Sequence, residues 1–375
     1  MGLQTAGLPD FPWDTLAPYA NKARAHPDGI VDLSVGTPVD PTPEVVRAAL
    51  VAAADAPGYP TTHGSIELRE AVVSWFARRR GVRGLDAAAV LPTLGSKELV
   101  AWLPSLLGLG PGDVVVHPEV AYPTYDVGAR LAGASPLPAD DVAAWGERSD
   151  VRLVWLNSPS NPTGRVLGVD ELRAVVAAAR RVGAVVAADE CYSLLAWEEP
   201  WATTGVPSLL DPRVCDGDHE GLLVVQSLSK QSNLAGYRVG FVAGDPALVG
   251  RLLEVRKHAG MMMPGPIQAA ATAALADDAH VAEQADRYRR RRRLLRAALT
   301  EAGLVVEDSA AGLYLWARMP GPGQDCWQTV ADLADLGILV APGSFYGPGG
   351  ARHVRVSLTA SDEAVVRAAG RLTGA

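Results

Sequence analysis

Val151-Arg-Leu-Val-Trp-Leu156, then Asp170-Glu-Leu-Arg-Ala-Val-Val-Ala-Ala-Ala-Arg-Arg-Val182, then Ala184-Val-Val-Ala-Ala-Asp189: two apolar runs rich in β-branched residues flank an alanine-rich stretch of helical period. Two strands joined through a helix lie parallel in one sheet. Working outward, the same alternation recurs. It predicts strands at 113–117, 151–156, 184–189, 222–226 and 238–243, and helices at 43–54, 65–80, 96–107, 170–182 and 246–258. Such a chain builds a parallel or mostly parallel sheet covered on both faces.

Beyond this block, Val281, Ala285, Tyr288, Leu295, Ala298, Leu299 and Ala302 recur at helical spacing and stop at Gly303. That predicts one long helix able to bridge two domains. Strand-like runs at 304–307, 312–317, 338–340 and 353–358, with helices at 327–336 and from Ser361, predict a small α+β unit. The expected division is a large α/β domain at 42–278. A smaller α+β domain combines 1–41 (an N-terminal arm) with 279–375 (the bridging helix and C-terminal part).

The 375 residues suit one large core plus a smaller one. A net charge of −8 makes nucleic acid a poor partner. The basic run Arg289–Arg293 lies in a helical pattern and reads as a solvated helix face. Three cysteines, Cys191, Cys215 and Cys326, form no C-x-x-C pair and support neither a disulfide framework nor a thiolate zinc site. No secretory pattern and no apolar run of membrane-spanning length is present, so a cytoplasmic protein with no membrane partner is expected.

Four segments carry chemistry. Gln226-Ser-Leu-Ser-Lys-Gln-Ser-Asn-Leu-Ala-Gly-Tyr-Arg238 follows a predicted strand and offers Ser227, Lys230 and Arg238. A lysine amine there can form a Schiff base with an aldehyde cofactor, and an arginine can grip a phosphate bidentately. Standing alone, Lys230 would read as an ordinary loop lysine. Asn157-Ser-Pro-Ser-Asn161 is a proline-rich turn at a strand's carboxyl end, where open α/β sheets bind ligands. Asp189 closes an apolar strand, and a half-buried carboxylate needs a partner such as a protonated pyridine, or else caps the next helix. Gly95-Ser96-Lys97 opens a helix whose N–H groups favour phosphate, although a plain N-cap reads as well.

Taken in order, these segments resemble the fold-type I aminotransferases of class I and II, from Val35-Gly36 to Arg355-Val-Ser. The resemblance implies an α/β fold: the three-layer, mostly parallel sheet of the type I PLP-transferases with a second, smaller α+β domain. It implies pyridoxal 5'-phosphate (PLP) as cofactor, with Lys230 as the catalytic Schiff-base residue. Gly95, Ser96, Lys97, Ser227 and Arg238 would bind the phosphate, and Asp189 the pyridine nitrogen. Asn161 and Tyr192 would contact the ring hydroxyl oxygen, and Tyr122, in Ala-Tyr-Pro-Thr-Tyr, would stack on the ring. Tyr59 would reach the phosphate of a neighbouring subunit, which implies a homodimer. Arg355 would hold the substrate α-carboxylate, with Gly36 closing over it. The implied substrates are amino acids and 2-oxo acids, exchanged in ping-pong fashion with Lys230 as base and then acid.

Finer stretches resemble the succinyldiaminopimelate aminotransferases: the segment from Arg256 to Gln268, Leu313-Tyr-Leu-Trp-Ala, Cys326-Trp and Gly337-Ile-Leu-Val-Ala-Pro-Gly-Ser-Phe-Tyr-Gly. They imply glutamate as donor, N-succinyl-2-amino-6-oxopimelate as acceptor and a place in diaminopimelate and lysine biosynthesis. A substrate with several carboxylates asks for another cation, and Lys257 and His258 are candidates by location, equally readable as a solvated helix end. Met261–Met263 reads as core filler or as a pliable pocket wall. The alternatives on the same fold are an aminotransferase for aspartate, aromatic or kynurenine-type substrates, and a C–S lyase. A PLP-binding DNA regulator lacks a helix-turn-helix extension. The histidines show no H-E-x-x-H, which disfavours a metalloenzyme, and no G-x-S-x-G supports a serine hydrolase.

Overall fold

The computed structural model describes residue 8 and residues 12–374; the first part of the expected N-terminal arm lies outside the described residues. The strands are, in chain order, β1 (Val31–Asp32), β2 (Val90–Leu94), β3 (Val114–His117), β4 (Ser135–Pro138), β5 (Val151–Asn157), β6 (Val185–Asp189) and β7 (Leu222–Ser227). They continue as β8 (Val239–Gly244), β9 (Val305–Glu307), β10 (Tyr314–Arg318), β11 (Ile338–Leu339), β12 (Ala341–Pro342) and β13 (His353–Ser357).

Seven strands form the large sheet in the order β2-β8-β7-β6-β5-β3-β4. The pairs among β4, β3, β5, β6 and β7 are parallel, and β8 runs against both its neighbours. Side chains alternate between two cores, as the two-residue period of a strand requires. Val154, Leu156, Val186, Ala188 and Val224 face one core, under the helices Ile66–Arg80, Val169–Val182 and Gly265–Ala276. Leu153, Trp155, Ala187, Leu223 and Val225 face the other, under Ser96–Leu106, Thr124–Leu131 and Pro246–Ala259.

This alternation aims the last residues of the central strands. Asn157, Asp189 and Ser227 lie in step with the second set, at the carboxyl edge of the sheet, and Asn157 is the register partner of Asp189. The reversed strand β8 brings its amino end to that same edge. Arg238, just before it, takes the left-handed conformation (φ 58°), not the extended one that the sequence pattern predicts. That bend turns the chain back into the sheet.

A separate core holds β1, β9–β13, the segment from Leu16 to Ala23 and the long helix Ala279–Glu301, and it also takes in Cys191, Tyr192 and Leu195. We read the two sets of cores as the two domains. The long helix crosses between them: His280 Nε2 lies 2.8 Å from the Ser232 hydroxyl, and Tyr288 donates its hydroxyl to the Lys230 carbonyl at 3.2 Å.

The basic run on this helix is not a solvated face throughout. Arg291 and Arg292 are buried. Arg291 donates to both Asp40 oxygens at 2.6 and 2.8 Å and to Asp362 at 2.5 Å, while Arg292 reaches Glu198 at 2.6 Å. Helical period puts these two inward because Tyr288 and Leu295 flank them on the buried stripe. Burial pushes the Asp40 carboxyl up, and the hydrogen bonds of Arg291 and Gln284 outweigh it, so the group sits below the usual aspartate range. A lowered carboxyl stabilises the fold above its unfolded pKa and loses that contribution as pH falls through the folded one. Arg291→Met therefore lowers unfolding free energy by about 3 kcal/mol at neutral pH in urea titrations. The gap between Asp40→Asn and the parent protein closes as pH falls below about 4.

Candidate active site

The edge where β5, β6 and β7 end opens into a cavity of about 770 Å³, within the range for small-molecule sites. Three corners of it are distinct in chemistry.

The first corner is cationic. Gly95 follows β2 with φ +78° and opens the helix Ser96–Leu106, so the first N–H groups of that helix point at the cavity. A side chain at position 95 would collide with the Arg238 guanidinium, and one at position 240 would lie 2.7 Å from the Gly95 carbonyl carbon and 2.8 Å from the Ser96 nitrogen. Both glycines let backbone and guanidinium crowd together. Arg238 donates to the carbonyls of Ala235 (2.9 Å) and Leu94 (3.3 Å) and pairs with no carboxylate among the described residues. Ser227 and Ser229 are joined through their hydroxyls at 2.9 Å beside it. Beneath, Glu98 accepts from the Leu94 N–H at 3.2 Å and from the fully buried Arg256 at 2.8 and 3.1 Å, which pins the turn.

The second corner is anionic. Asp189 is 6% exposed. Its Oδ1 accepts the Cys191 N–H and its Oδ2 the Tyr125 hydroxyl, both at 3.2 Å, and no cation pairs with it among the described residues. Burial pushes this carboxyl up, partly offset by the Cys191 thiol, the Cys191 N–H and the Tyr125 hydroxyl. Burial likewise pushes up the hydroxyls of Tyr125 and Tyr192, which stay protonated and can donate at neutral pH. Asn157 donates to the Asp189 carbonyl at 3.0 Å and accepts the Asn161 N–H at 2.7 Å, tying the turn to β6.

The third corner surrounds Arg355 in the middle of β13. It is 2% exposed, yet no carboxylate pairs with it among the described residues. It donates to Asn161 Oδ1 at 3.0 Å and to the Ser34 carbonyl at 2.6 Å. Its guanidinium lies 4.0 Å from the Tyr314 ring centre and 5.0 Å from that of Tyr346. Two ring faces and neutral acceptors ease the burial of a cation, and an anion would complete it. With its oxygen engaged by Arg355, Asn161 has its amide NH₂ as a donor. The Tyr314 hydroxyl is 3.2 Å from that of Tyr192 and fills the space that a side chain at Gly36 would need. Between the corners stands Lys230, whose Nζ donates to the Gly36 carbonyl.

The structure thus brings Gly36, Ser96, Lys97, Tyr122, Asn161, Asp189, Tyr192, Ser227, Lys230, Arg238 and Arg355 to one cavity. Gly95 lies just behind it. Tyr59 is 97% exposed and stays outside. Lys257 pairs with Glu254 at 2.6 Å and His258 is exposed; neither lines the cavity, because both sit on the solvent side of their helix. Met263 is buried among core residues, and none of the methionines 261–263 lines the cavity. Tyr125 and Tyr346 went unread in the sequence; their only signal was position, within Ala-Tyr-Pro-Thr-Tyr and Ser-Phe-Tyr.

The residues fit pyridoxal phosphate. Two cations without carboxylate partners match a phosphate and a substrate carboxylate, and a buried carboxylate without a cation matches a protonated ring nitrogen. Phenol and amide donors lie between, next to the Lys230 amine. The described residues hold no group of His, Cys, Asp and Glu suited to a metal ion, and no described helix is long and apolar enough to cross a membrane.

The family described as Aminotransferase class I and II matches residues 28–372. The chain is 58% identical to the 4-dedimethylamino-4-oxo-anhydrotetracycline transaminase OxyQ of Streptomyces rimosus, over 98% of this chain and 99% of that one. It is 61% identical to a protein of Mycobacterium tuberculosis described as a probable aminotransferase, over 98% of this chain and 86% of that one. Among solved structures, that of a "probable N-succinyldiaminopimelate aminotransferase" from Thermus thermophilus superposes with a TM-score of 0.87 at 30% identity, covering 97% of this chain and 100% of that one.

Gly95→Ala forces a β-carbon into a left-handed position against Arg238. Equilibrium titration with pyridoxal phosphate should show at least about a tenfold rise in Kd, equivalent to 1.4 kcal/mol. An unchanged Kd removes the Gly95 turn from the phosphate site.

Proposed function

This chain belongs to the class I and II aminotransferases, enzymes that depend on pyridoxal phosphate, and from that premise we propose an N-succinyldiaminopimelate aminotransferase with glutamate as donor. The observation that carries the reading is the set of complementary charges, Arg238, Asp189 and Arg355, gathered around Lys230 in one cavity.

The N–H groups at Ser96, with Lys97, Ser227 and Arg238, would hold the phosphate. Asp189 would hold the ring nitrogen protonated, Asn161 and Tyr192 would donate to the ring hydroxyl oxygen, and Tyr122 would lie against the ring. Bound there, the cofactor supplies an electron sink that acidifies the Cα–H bond of an amino acid. Arg355 fixes the α-carboxylate and so sets which Cα bond faces Lys230. Lys230 would hold the cofactor through Nζ, and its amine, when free, would take the Cα proton as base and give it back as acid. The main-chain carbonyl of Gly36, which accepts from Nζ, steers the amine between these roles. Asp189, already desolvated, meets the charge without further reorganisation.

Three observations support the finer substrate. The stretches around Arg256, Leu313 and Gly337 resemble succinyldiaminopimelate aminotransferases, the Thermus structure described above covers nearly the whole chain, and the cavity has room for a long acylated substrate. A second reading has its own support. OxyQ, at 58% identity, is a transaminase for a polycyclic ketone, and the wall formed by Trp13, Val35, Ala101 and Val127 is apolar, as such a ligand prefers. For assembly we propose a cytoplasmic homodimer. Tyr59 projects into solvent, and the helices before and after it in the chain expose Val45 and Ile66, a placement suited to a neighbouring subunit's phosphate site.

Lys230→Ala should lose the visible absorbance of the bound cofactor and at least about a thousandfold in transamination rate; full turnover would refute the role of Lys230. A screen with glutamate against succinylated and acetylated amino-oxopimelates, aromatic 2-oxo acids and polycyclic ketones should favour the succinylated acceptor. Preference for a ring ketone would replace the substrate and leave the transaminase assignment standing.

A further inference from the structure

Asp189 has no cation among its described protein neighbours, so its ionisation and aim depend on neutral donors: the thiol and backbone N–H of Cys191 and the hydroxyl of Tyr125. Tyr125 lies on the helix Thr124–Leu131, on the sheet face toward which the parity of β6 turns Asp189. It is 1% exposed. Its ring packs at 5.2 Å on Trp155 and edge-on at 6.2 Å against Tyr122, so it cannot swing away. Its hydroxyl ends 3.2 Å from Asp189 Oδ2. The other oxygen takes a backbone N–H, which no side-chain substitution removes.

We propose that Tyr125 is a positioning residue, whose hydroxyl keeps the Asp189 carboxylate ionised and rotated toward the cofactor ring nitrogen. A donor to an anion in a dry site strengthens the anion over the neutral acid. The tyrosine also blocks rotation about the Asp189 side chain by fixing one oxygen while Cys191 fixes the other. Protonated or turned, the carboxyl loses its grip on a ring cation, so the hydroxyl acts on the cofactor only through Asp189. Tyr122 and Tyr125 both line the cavity, but the Tyr125 hydroxyl is spent on Asp189, which gives the two tyrosines of Ala-Tyr-Pro-Thr-Tyr separate tasks. The inference rests on the pairing of Asp189 with the ring nitrogen proposed above.

The test is a double-mutant cycle on cofactor affinity. Apoproteins of the parent, Tyr125→Phe, Asp189→Asn and the double variant are titrated with pyridoxal phosphate by tyrosine and tryptophan fluorescence, and each is melted without cofactor. Phe keeps the ring and its packing, so the melting temperatures of parent and Tyr125→Phe should agree. Tyr125→Phe should raise Kd about tenfold in the parent background and less than about twofold beside Asp189→Asn. An unchanged Kd for Tyr125→Phe, or an equal loss in both backgrounds, overturns the inference, the latter marking a merely structural role. Asp189→Asn with parental affinity instead overturns the Asp189 pairing itself.

Discussion

A carboxylate buried at the end of β6, with no cationic partner among the described residues, is the constraint around which the rest is arranged. Removing such a group from water costs several kcal/mol in effective terms. Among the described residues the protein offsets it with neutral donors, the thiol and backbone N–H of Cys191 and the phenol of Tyr125. The remainder must come from a ligand with positive charge at one defined point. Arg355 presents the opposite case: a buried guanidinium softened by two tyrosine faces, one asparagine and one carbonyl. Each charge is held short of full compensation. Both therefore favour a zwitterionic cofactor–substrate pair over water or a stray ion.

The sheet makes this arrangement possible. In a parallel sheet, strands that end together and share parity present their last side chains in a row. Asn157, Asp189 and Ser227 are such a row. A further parallel strand would have put Arg238 at the far edge of the sheet. Because β8 is reversed, its first residue returns to the ligand edge, and the left-handed turn at Arg238 packs the guanidinium against Gly95. One antiparallel strand thus closes the cationic corner.

Much of this was legible in the sequence, for physical reasons that also mark what was not. Strands buried on both faces read as continuous apolar runs, so the segments ending at Asn157, Asp189 and Ser227 stood out with the residues that follow them. β4 did not, because Pro136 and Pro138 conceal a short edge strand, a place where proline is tolerated. β2 contains Pro92 and was equally hidden. The direction of β8 carries no signature in hydrophobic pattern. Nor does the burial of Arg291 and Arg292: five consecutive arginines look solvated until Asp40 and Glu198 arrive from distant parts of the chain. Tyr125 shows the same limit. Its helix is short, and its role follows from a contact across 64 residues that local pattern cannot encode.

The long helix adds a last consequence. Its first turns touch the loop that carries Lys230, through His280 and Tyr288, while its middle anchors the N-terminal segment through Arg291 and Asp40. That segment leads back from Asp40 to Gly36 and Ser34, whose carbonyls meet Lys230 and Arg355. The Lys230 amine and the Arg355 guanidinium are therefore joined by one short loop of backbone, and the helix that braces the Asp40 end of that loop also touches the segment carrying Lys230. A shift of the small domain cannot move Arg355 without also moving the acceptor at Gly36 that orients the Lys230 amine. On the proposed assignment, substrate binding at Arg355 and the placement of the Lys230 base would be coupled through this stretch of chain and the buried Arg291–Asp40 ion pair.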